Sequence, residues 1–492
     1  MIRTKFTKIV ATISDRRCDK EFIQQLFDNG MNVVRMNSAH IQKDGFERII
    51  SNVRAVSDQI GILMDTKGPE IRTTANIDDE NLVFTTGEPI LVCGNPDQLT
   101  SKDAICLSYA NIANDVKVGM HLLIDDGELD FLIEEIDNEG FLHCIAQNDG
   151  ELGSRKSVNI PGASVKLPSL TQRDITNIGY AIEMGVDFIA HSFVRNKQDI
   201  MGIQDILDAH NSPIKIIAKI ENQEGVDNID EILDVAYGVM IARGDLGIEV
   251  AAEKIPVIQR SLIQKCVSRH KPVIVATQML HTMITNPRPT RAEVSDIANA
   301  VFQHTDALML SGETAYGNYP IEAISTMTRV IAETEEAVAK ETMAHYTSFA
   351  RSASSVTAFL THGAVHSQYE VGSKAIVTDS YTGRTARYIS SFRGISPTLA
   401  LCYHKHVTRL LSLSFGVYSV YQKKVASSRE YLYHGLEHLI DLGLISSEDT
   451  IAYVGGGFGE GKGTTFLEIN NVQDVLENYA NYDLPNLEKP EV

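Results

Sequence analysis

The chain has 492 residues, 43% hydrophobic and 22% charged, a balance that fits two to four globular domains and excludes fibrous or disordered classes. Its 44 lysines and arginines face 64 aspartates and glutamates, and the resulting net charge of −20 repels nucleic-acid backbones, so nucleic acid is excluded as a general partner. Six scattered cysteines without a CxxC pair point away from a disulfide framework or a zinc site, and no run approaches the roughly 20 apolar residues of a membrane span.

A small anionic substrate stays open if local cations or a metal override the global field. The first residues, "MIRTKFTKIVATISDRRCDK", lack the apolar stretch of a signal peptide, and with the free cysteines this predicts a cytoplasmic protein without a membrane partner. Short β-branched runs then recur: "TKIVATI" (7–13), "NVVRMN" (32–37), "GILMDT" (61–66), "DFIAHSFV" (187–194), "KIIAKIE" (215–221), "GVMIARGD" (238–245), "PVIVATQ" (272–278) and "ALMLSGET" (307–314). Helical spacing separates most of them. Strands apolar on both faces and alternating with helices predict a parallel sheet, and eight such units predict a closed (β/α)₈ TIM barrel. An open doubly wound sheet is disfavoured because "ATISDRRC", after the first strand, has no glycine fingerprint.

The rhythm breaks between Thr66 and Asp187, where "LVFTTGEPILVCG", "GMHLLIDDGELDFLIEEID" and "GFLHCIAQNDGEL" alternate apolar and polar residues. This span predicts a small inserted β-barrel acting as a lid. After residue 345 a third α/β unit begins, with strands "SKAIVTDS", "SPTLALC", "GVYSVY", "TIAYVGG" and "TTFLEI". The expected organisation is barrel (1–68 and 168–345), lid (69–167), C-terminal α/β effector domain (346–473) and a polar tail (474–492).

Candidate chemistry gathers at the ends of the barrel strands. Lys219 and Glu221 stand two apart and face the same way, so an apolar strand carries an ion pair near its C-terminal end, where barrel enzymes keep catalytic groups. A purely structural buried ion pair is the alternative. Arg35 and Asn37 end the second strand; Asp65, Thr66 and Lys67 the third; Asp245 follows the sixth, Thr277 the seventh, Ser311 and Glu313 the eighth. Glu221 and Asp245 are hard oxygen donors suited to magnesium or manganese, unless Asp245 only caps a helix and Glu221 only pairs with Lys219. A dication flanked by Lys219 and Arg35 is a phosphoryl-transfer clamp, and Thr277 is the type of group that relays a proton.

"DSYTGRTA" (379–386) opens a helix with hydroxyls and a glycine that suit a phosphate, with simple capping by Thr382 as the alternative. "GGFGEGKGT" (456–464) nearly fits a phosphate-binding P-loop but puts Gly463 after Lys462 and runs into a strand, so it reads as a loop.

Taken together, "TKIVATI", "GMNVVRMNSAH", "MDTKGPEIRT", "VNIPGASVKLPSLTQRD", "IIAKIENQEGV", "MIARGDLGIE", "VIVATQML", "PRPTRAEVSDIANAV" and "MLSGETAYGNYP" resemble pyruvate kinases. The resemblance implies transfer of a phosphoryl group from phosphoenolpyruvate to ADP, giving pyruvate and ATP. It implies Lys219 as the phosphoryl-stabilising lysine, Glu221 and Asp245 as magnesium ligands, and Arg35, Gly244, Asp245 and Thr277 as substrate contacts. Ser311 joins Thr277 beside the water that protonates the enolate. It further implies nucleotide-side positions at Asn37, His40, Arg72 and Lys156, and potassium ligands at Asn37, Asp65 and Thr66, with Glu70 marking the potassium-dependent branch. An effector phosphate, from a sugar phosphate or nucleotide, is implied at Ser380, Thr382, Gly383, Arg384 and Thr385, and a homotetramer is implied as the assembly.

Three departures stand out. "RMNSAH" places Ala39 where the family has a hydroxyl-bearing potassium ligand, and Ser38 where it has an aromatic; Ser157 and His281 also depart, away from the chemistry. Two rival readings are a magnesium-dependent barrel lyase acting on an enolpyruvate-type substrate and a non-catalytic effector-binding scaffold.

Overall fold

The structure is a computed structural model and describes residues 5–345, 355–425, 427–456 and 463–480. Most of the 456–464 loop and the end of the polar tail lie outside the described residues. Eight parallel strands, Lys8–Thr12, Val33–Asn37, Gly61–Asp65, Phe188–His191, Lys215–Ile220, Gly238–Ala242, Val273–Ala276 and Ala307–Leu310, close into a barrel when the first pairs with both the second and the eighth. Alternation explains why the runs are apolar throughout. Val10, Val33, Leu63, Phe188, Ile217, Met240, Ile274 and Met309 fill the interior, while Ile9, Val34, Ile62, Ile189, Ile216 and Val239 meet the helices outside. Side-chain caps start those helices: Asp19 for Lys20–Asp28, and capping boxes of Thr171 with Asp174 and Thr290 with Glu293 for Gln172–Glu183 and Arg291–Phe302.

The insertion carries its own core around Phe84 and Phe131, whose rings meet edge to face at 5.3 Å. Its main sheet has seven strands in the order Ile71–Arg72, Ser157–Asn159, His121–Ile124, Leu129–Ile136, Leu142–Ala146, Pro89–Cys93, Ala104–Cys106. This corrects the expected closed β-barrel: the sheet is open, and its edges touch through one isolated bridge between Thr73 and Leu107. The two edge strands have two and three residues, too few to zip a ladder.

The C-terminal unit is a five-stranded sheet in the order Val417–Tyr421, Thr398–Cys402, Ala375–Ser380, Thr450–Gly456, Thr464–Asn471, the last strand antiparallel. It docks on the end of the barrel where the strands begin. Leu410 and Leu413 join the barrel's inner cluster, and Arg409 and Arg393 bind Asp187 and Asp306 at 2.6 and 2.8 Å. With that end sealed, the C-terminal ends of the strands are left for the lid and a site. Among the described residues, no helix is long and apolar enough to cross a membrane.

His191, last in the fourth barrel strand, is fully buried, and neither ring nitrogen is hydrogen-bonded among the described residues. Burial pushes its pKa down to about 4, so the folded protein binds fewer protons than the unfolded chain between pH 4 and 6.5. Stability therefore falls as the pH drops through that window, by about 3 kcal/mol from this group. In urea unfolding, His191→Leu is expected to flatten this slope between pH 6.5 and 4.

Candidate active site

The fifth barrel strand delivers Lys219 to the mouth because Ile216, Ala218 and Ile220 turn outward into the helix-packed core. Its ammonium has three donors and three partners: Asp65 Oδ1 at 3.1 Å, Glu221 Oε1 at 2.9 Å and Ser192 Oγ at 2.8 Å. Burial alone lowers its pKa, but Asp65 and Glu221 reverse that and raise it, so the amine stays charged. Lys219 and Glu221 thus lie on one side of the strand end, as expected.

Asp65 is 1% exposed and sits between two cations. Arg35 reaches its Oδ2 through Nε at 2.7 Å and through the terminal nitrogen at 2.6 Å, while its other nitrogen donates to Thr12 Oγ1 at 3.0 Å. Burial raises the Asp65 pKa, yet Lys219 and Arg35 outweigh it and hold the carboxyl below the usual range. Glu221 is the opposite case. Burial raises it most; Lys219 pulls it down and Asp245 pushes it up, leaving it at about 7. Its second oxygen accepts the Phe193 N–H at 2.7 Å, a donor aimed by a left-handed backbone at Phe193, φ 55°.

Asp245 lies in the first turn of the helix Arg243–Glu249, which starts directly from the sixth strand. Neighbouring it, Gly244 donates its N–H to Thr277 Oγ1 at 2.7 Å, and that hydroxyl donates to the Ala276 carbonyl at 2.6 Å. Thr277 holds φ 72°, a costly conformation for a β-branched residue, and the Arg243 guanidinium grips its carbonyl at 2.8 Å. Ser311 follows the eighth strand with its N–H on Glu313. Glu313 itself is no free acid: it is 2% exposed and its oxygens accept the Ser311 and Leu280 amides at 2.8 and 3.1 Å.

Between lid and barrel lies a cleft of about 610 Å³ whose walls include Glu70, Arg72, Asp125 and Lys156 from the lid and Asp245 and Phe193 from the barrel. Arg72 pairs with Glu70 at 2.7 Å and Lys156 with Asp125 at 2.5 Å. His40 is exposed in the turn after the second strand. Asn37 and Asp65 are direct register partners, and the Thr66 hydroxyl accepts the Ser192 N–H at 3.0 Å, so three side-chain oxygens end adjacent strands. Asn37 Oδ1 also takes the Ala39 N–H, and the Ser38 hydroxyl beside it is buried without a hydrogen-bond partner among the described residues.

The five effector-phosphate candidates lie in the C-terminal unit, at the end of strand Ala375–Ser380 and the start of helix Arg384–Ser391, and are not part of this mouth. Gly383, at φ 79°, rather than Thr382 occupies the cap position of helix Arg384–Ser391, and its N–H donates to Ser380 Oγ at 3.0 Å. Thr385 meets Thr464 at 2.9 Å, and the Arg384 guanidinium lies over the Tyr388 ring. Residues missed by sequence reasoning are Ser192, which joins Lys219, Asp65 and the Thr66 carbonyl, and Thr12, which supports Arg35. Their only signal is position, one at and one just past a barrel-strand end.

Metal fit follows from the charges. Glu221 is buried and destabilised as an anion, and Asp245 has no hydrogen bond or ion pair to another side chain among the described residues. No group of three or more His, Cys, Asp or Glu side chains forms a cage among the described residues. Two carboxylates completed by water and substrate suit magnesium, which keeps several of its own waters.

Residues 4–324 match the family model of the pyruvate kinase barrel domain, and residues 359–469 that of the pyruvate kinase alpha/beta domain. A pyruvate kinase of Borreliella burgdorferi is 42% identical over 483 residues, covering 96% of this chain and 99% of its own length. One from Bacillus licheniformis is 41% identical over 96% of this chain and 81% of its own. The crystal structure of a pyruvate kinase from Cryptosporidium parvum superposes with a TM-score of 0.89 at 35% identity, covering 95% of this chain and 96% of that one.

Asp65→Asn strips Lys219 and Arg35 of their shared counter-charge. Equilibrium unfolding in urea is expected to show a loss of about 3–5 kcal/mol, the cost of an uncompensated buried charge.

Proposed function

The chain belongs to the pyruvate kinase family, and we propose that the lysine–carboxylate cluster at the barrel mouth is where it moves the phosphoryl group of phosphoenolpyruvate to ADP, giving pyruvate and ATP. The observation that carries this site assignment is the Lys219 ammonium, held by Asp65, Glu221 and Ser192 beside the lid cleft. A lyase acting on an enolpyruvate-type substrate has no support among the matched families and is not retained; the same matches leave no ground for a non-catalytic scaffold.

Lys219 and Arg35 supply fixed positive charge for the equatorial oxygens of the transferring group. Glu221 and Asp245 would hold a divalent cation, magnesium or manganese, which when bound neutralises phosphate charge and orients the oxygens. Gly244 and Thr277 form the floor on which the carboxylate end of the substrate rests. After transfer Lys219 stabilises the enolate, and Thr277 and Ser311 position the water that protonates it. Arg72 and Lys156, with Asn37 and His40, take the nucleotide phosphates; their present partners, Glu70 and Asp125, are exchangeable because all four line the open cleft. Closure of the lid would then exclude water.

Asn37, Asp65 and Thr66 would hold a potassium ion, one ligand poorer for Ala39. Ser380, Thr382, Gly383, Arg384 and Thr385 would hold the phosphate of a sugar-phosphate or nucleotide effector, an allosteric role. A homotetramer is supported by apolar residues left exposed on both large domains, Val257 and Phe302 on the barrel and Val356 and Phe359 on the C-terminal unit. A cytoplasmic location is supported by glycolytic substrates and by six cysteines that form no disulfide in the structure.

A lactate-dehydrogenase-coupled assay with phosphoenolpyruvate, ADP and magnesium is expected to show pyruvate formation; none under magnesium or manganese, with or without potassium, overturns the reading. Lys219→Met is expected to lower kcat by about 10²–10³ or more. It stays folded because Arg35 still pairs with Asp65 and Glu221, already at about 7, takes up a proton. A collapse in melting temperature would instead mark the pair as structural. Ala39→Ser is expected to lower the potassium concentration needed for half-maximal rate, and an unchanged value would remove Ala39 from the cation site.

A further inference from the structure

We propose that Cys93 and Cys106 form a reversible thiol–disulfide pair on the outer face of the lid, a modification site oxidised by a small hydroperoxide. The two residues end neighbouring parallel strands and are direct register partners, with Sγ atoms 3.4 Å apart. Adjacent strands lie about 4.8 Å apart, inside the 4.4–6.8 Å Cα window of disulfides, and bonding brings the sulfurs to about 2.05 Å. No shift of register is required.

Both side chains point away from the lid core, since Val92 and Ile105, one position back on each strand, belong to it. The 94–103 segment connects the two strands, with the Thr100 hydroxyl bonded to the Cys106 backbone and the stretch 96–99 exposed. Cys93 keeps 7% exposure and Cys106 none. Of the other four cysteines, Cys18, Cys144 and Cys402 turn their thiols to backbone carbonyls, and Cys266 is fully buried in the barrel's helix-packed core. Burial pushes the Cys106 thiol up to about 12 and keeps it protonated, so the partly exposed Cys93 is the sulfur that meets the oxidant first.

The chemistry balances with one peroxide. The Cys93 sulfur attacks a peroxide oxygen, the O–O bond breaks, and the thiol proton leaves with the departing oxygen as water, leaving a sulfenic acid. The Cys106 sulfur then displaces the hydroxyl, which takes the Cys106 proton and leaves as a second water. Two thiols lose two electrons, and hydrogen peroxide becomes two waters. A small thiol reductant reverses the bond by exchange.

The bond would act on the seam of the open lid sheet. The Cys106 carbonyl accepts the Thr74 N–H, Leu107 bridges Thr73, and Ser108 exchanges two hydrogen bonds with the Arg72 backbone at 2.8 and 3.0 Å.

The test treats the native full-length protein with hydrogen peroxide, quenches it, blocks remaining thiols in denaturant and maps peptides by mass spectrometry without reduction. The expected result is loss of two of the six thiols, a Cys93–Cys106 link two hydrogens lighter, and recovery with dithiothreitol. Cys93→Ser and Cys106→Ala each abolish the link; the wild-type map stands whether or not either variant folds. Six surviving thiols, oxidation at other cysteines first, or Cys93 advancing to sulfinic acid without a link would each overturn the proposal.

Discussion

The structure depends on keeping opposite charges dry and paired at one end of a barrel. Asp65, Glu221 and Asp245 contribute three carboxylates against the two cations of Arg35 and Lys219, so the mouth is one negative charge in excess when all are ionised. Glu221 registers that imbalance, and Asp245, with no side-chain partner, is where it stays open. A dication turns the excess to a net positive charge, and a phosphate ester then brings its own negative charges to meet it. The bare protein therefore matches neither ligand alone but their sum. Such a cluster is costly to bury, and it persists because its most deeply buried members have fixed partners: Ser192 for the amine, the Phe193 amide for Glu221, Thr12 for Arg35.

That fixity is built from the opposite end. Leu410 and Leu413 fill the barrel where its strands begin, and Arg409 and Arg393 tie Asp187 and Asp306, at the starts of the fourth and eighth strands, to the C-terminal unit. His191 and Ser192 lie only a few residues along from Asp187, and Ser311 as few from Asp306. A rearrangement in the C-terminal unit has a short, stiff route to both sides of the mouth, whereas the lid, with its own core, can move without unpacking the barrel.

Much of this was legible in the sequence because barrel strands advertise themselves twice, as β-branched runs and as sudden polarity at their ends. Lys219 and Glu221 could be assigned to one face from spacing alone, and Asn37 and Asp65 to neighbouring strand ends. What could not be read are contacts that depend on backbone direction. The Phe193 amide acts through a left-handed φ at a residue with no polar side chain, and Thr277 is posed by a strain that its letter does not announce. Glu313 looked like a rim acid, yet two amides consume it; a carboxylate two residues past a strand curls back on the turn as readily as it faces solvent. The lid's closure was overread because alternation specifies strands, not whether the outermost pair is long enough to zip.

The strand that seals the barrel has its own consequence. Lys8–Thr12 is paired with Val33–Asn37, available at once, and with Ala307–Leu310, some 300 residues later in the chain. During synthesis the growing sheet carries raw edges until that last strand leaves the ribosome, while the lid can finish in between as a separate unit. Nascent copies are thus exposed to edge-to-edge pairing with one another for most of translation, and the closing strand ends that hazard in a single late, high-contact-order event.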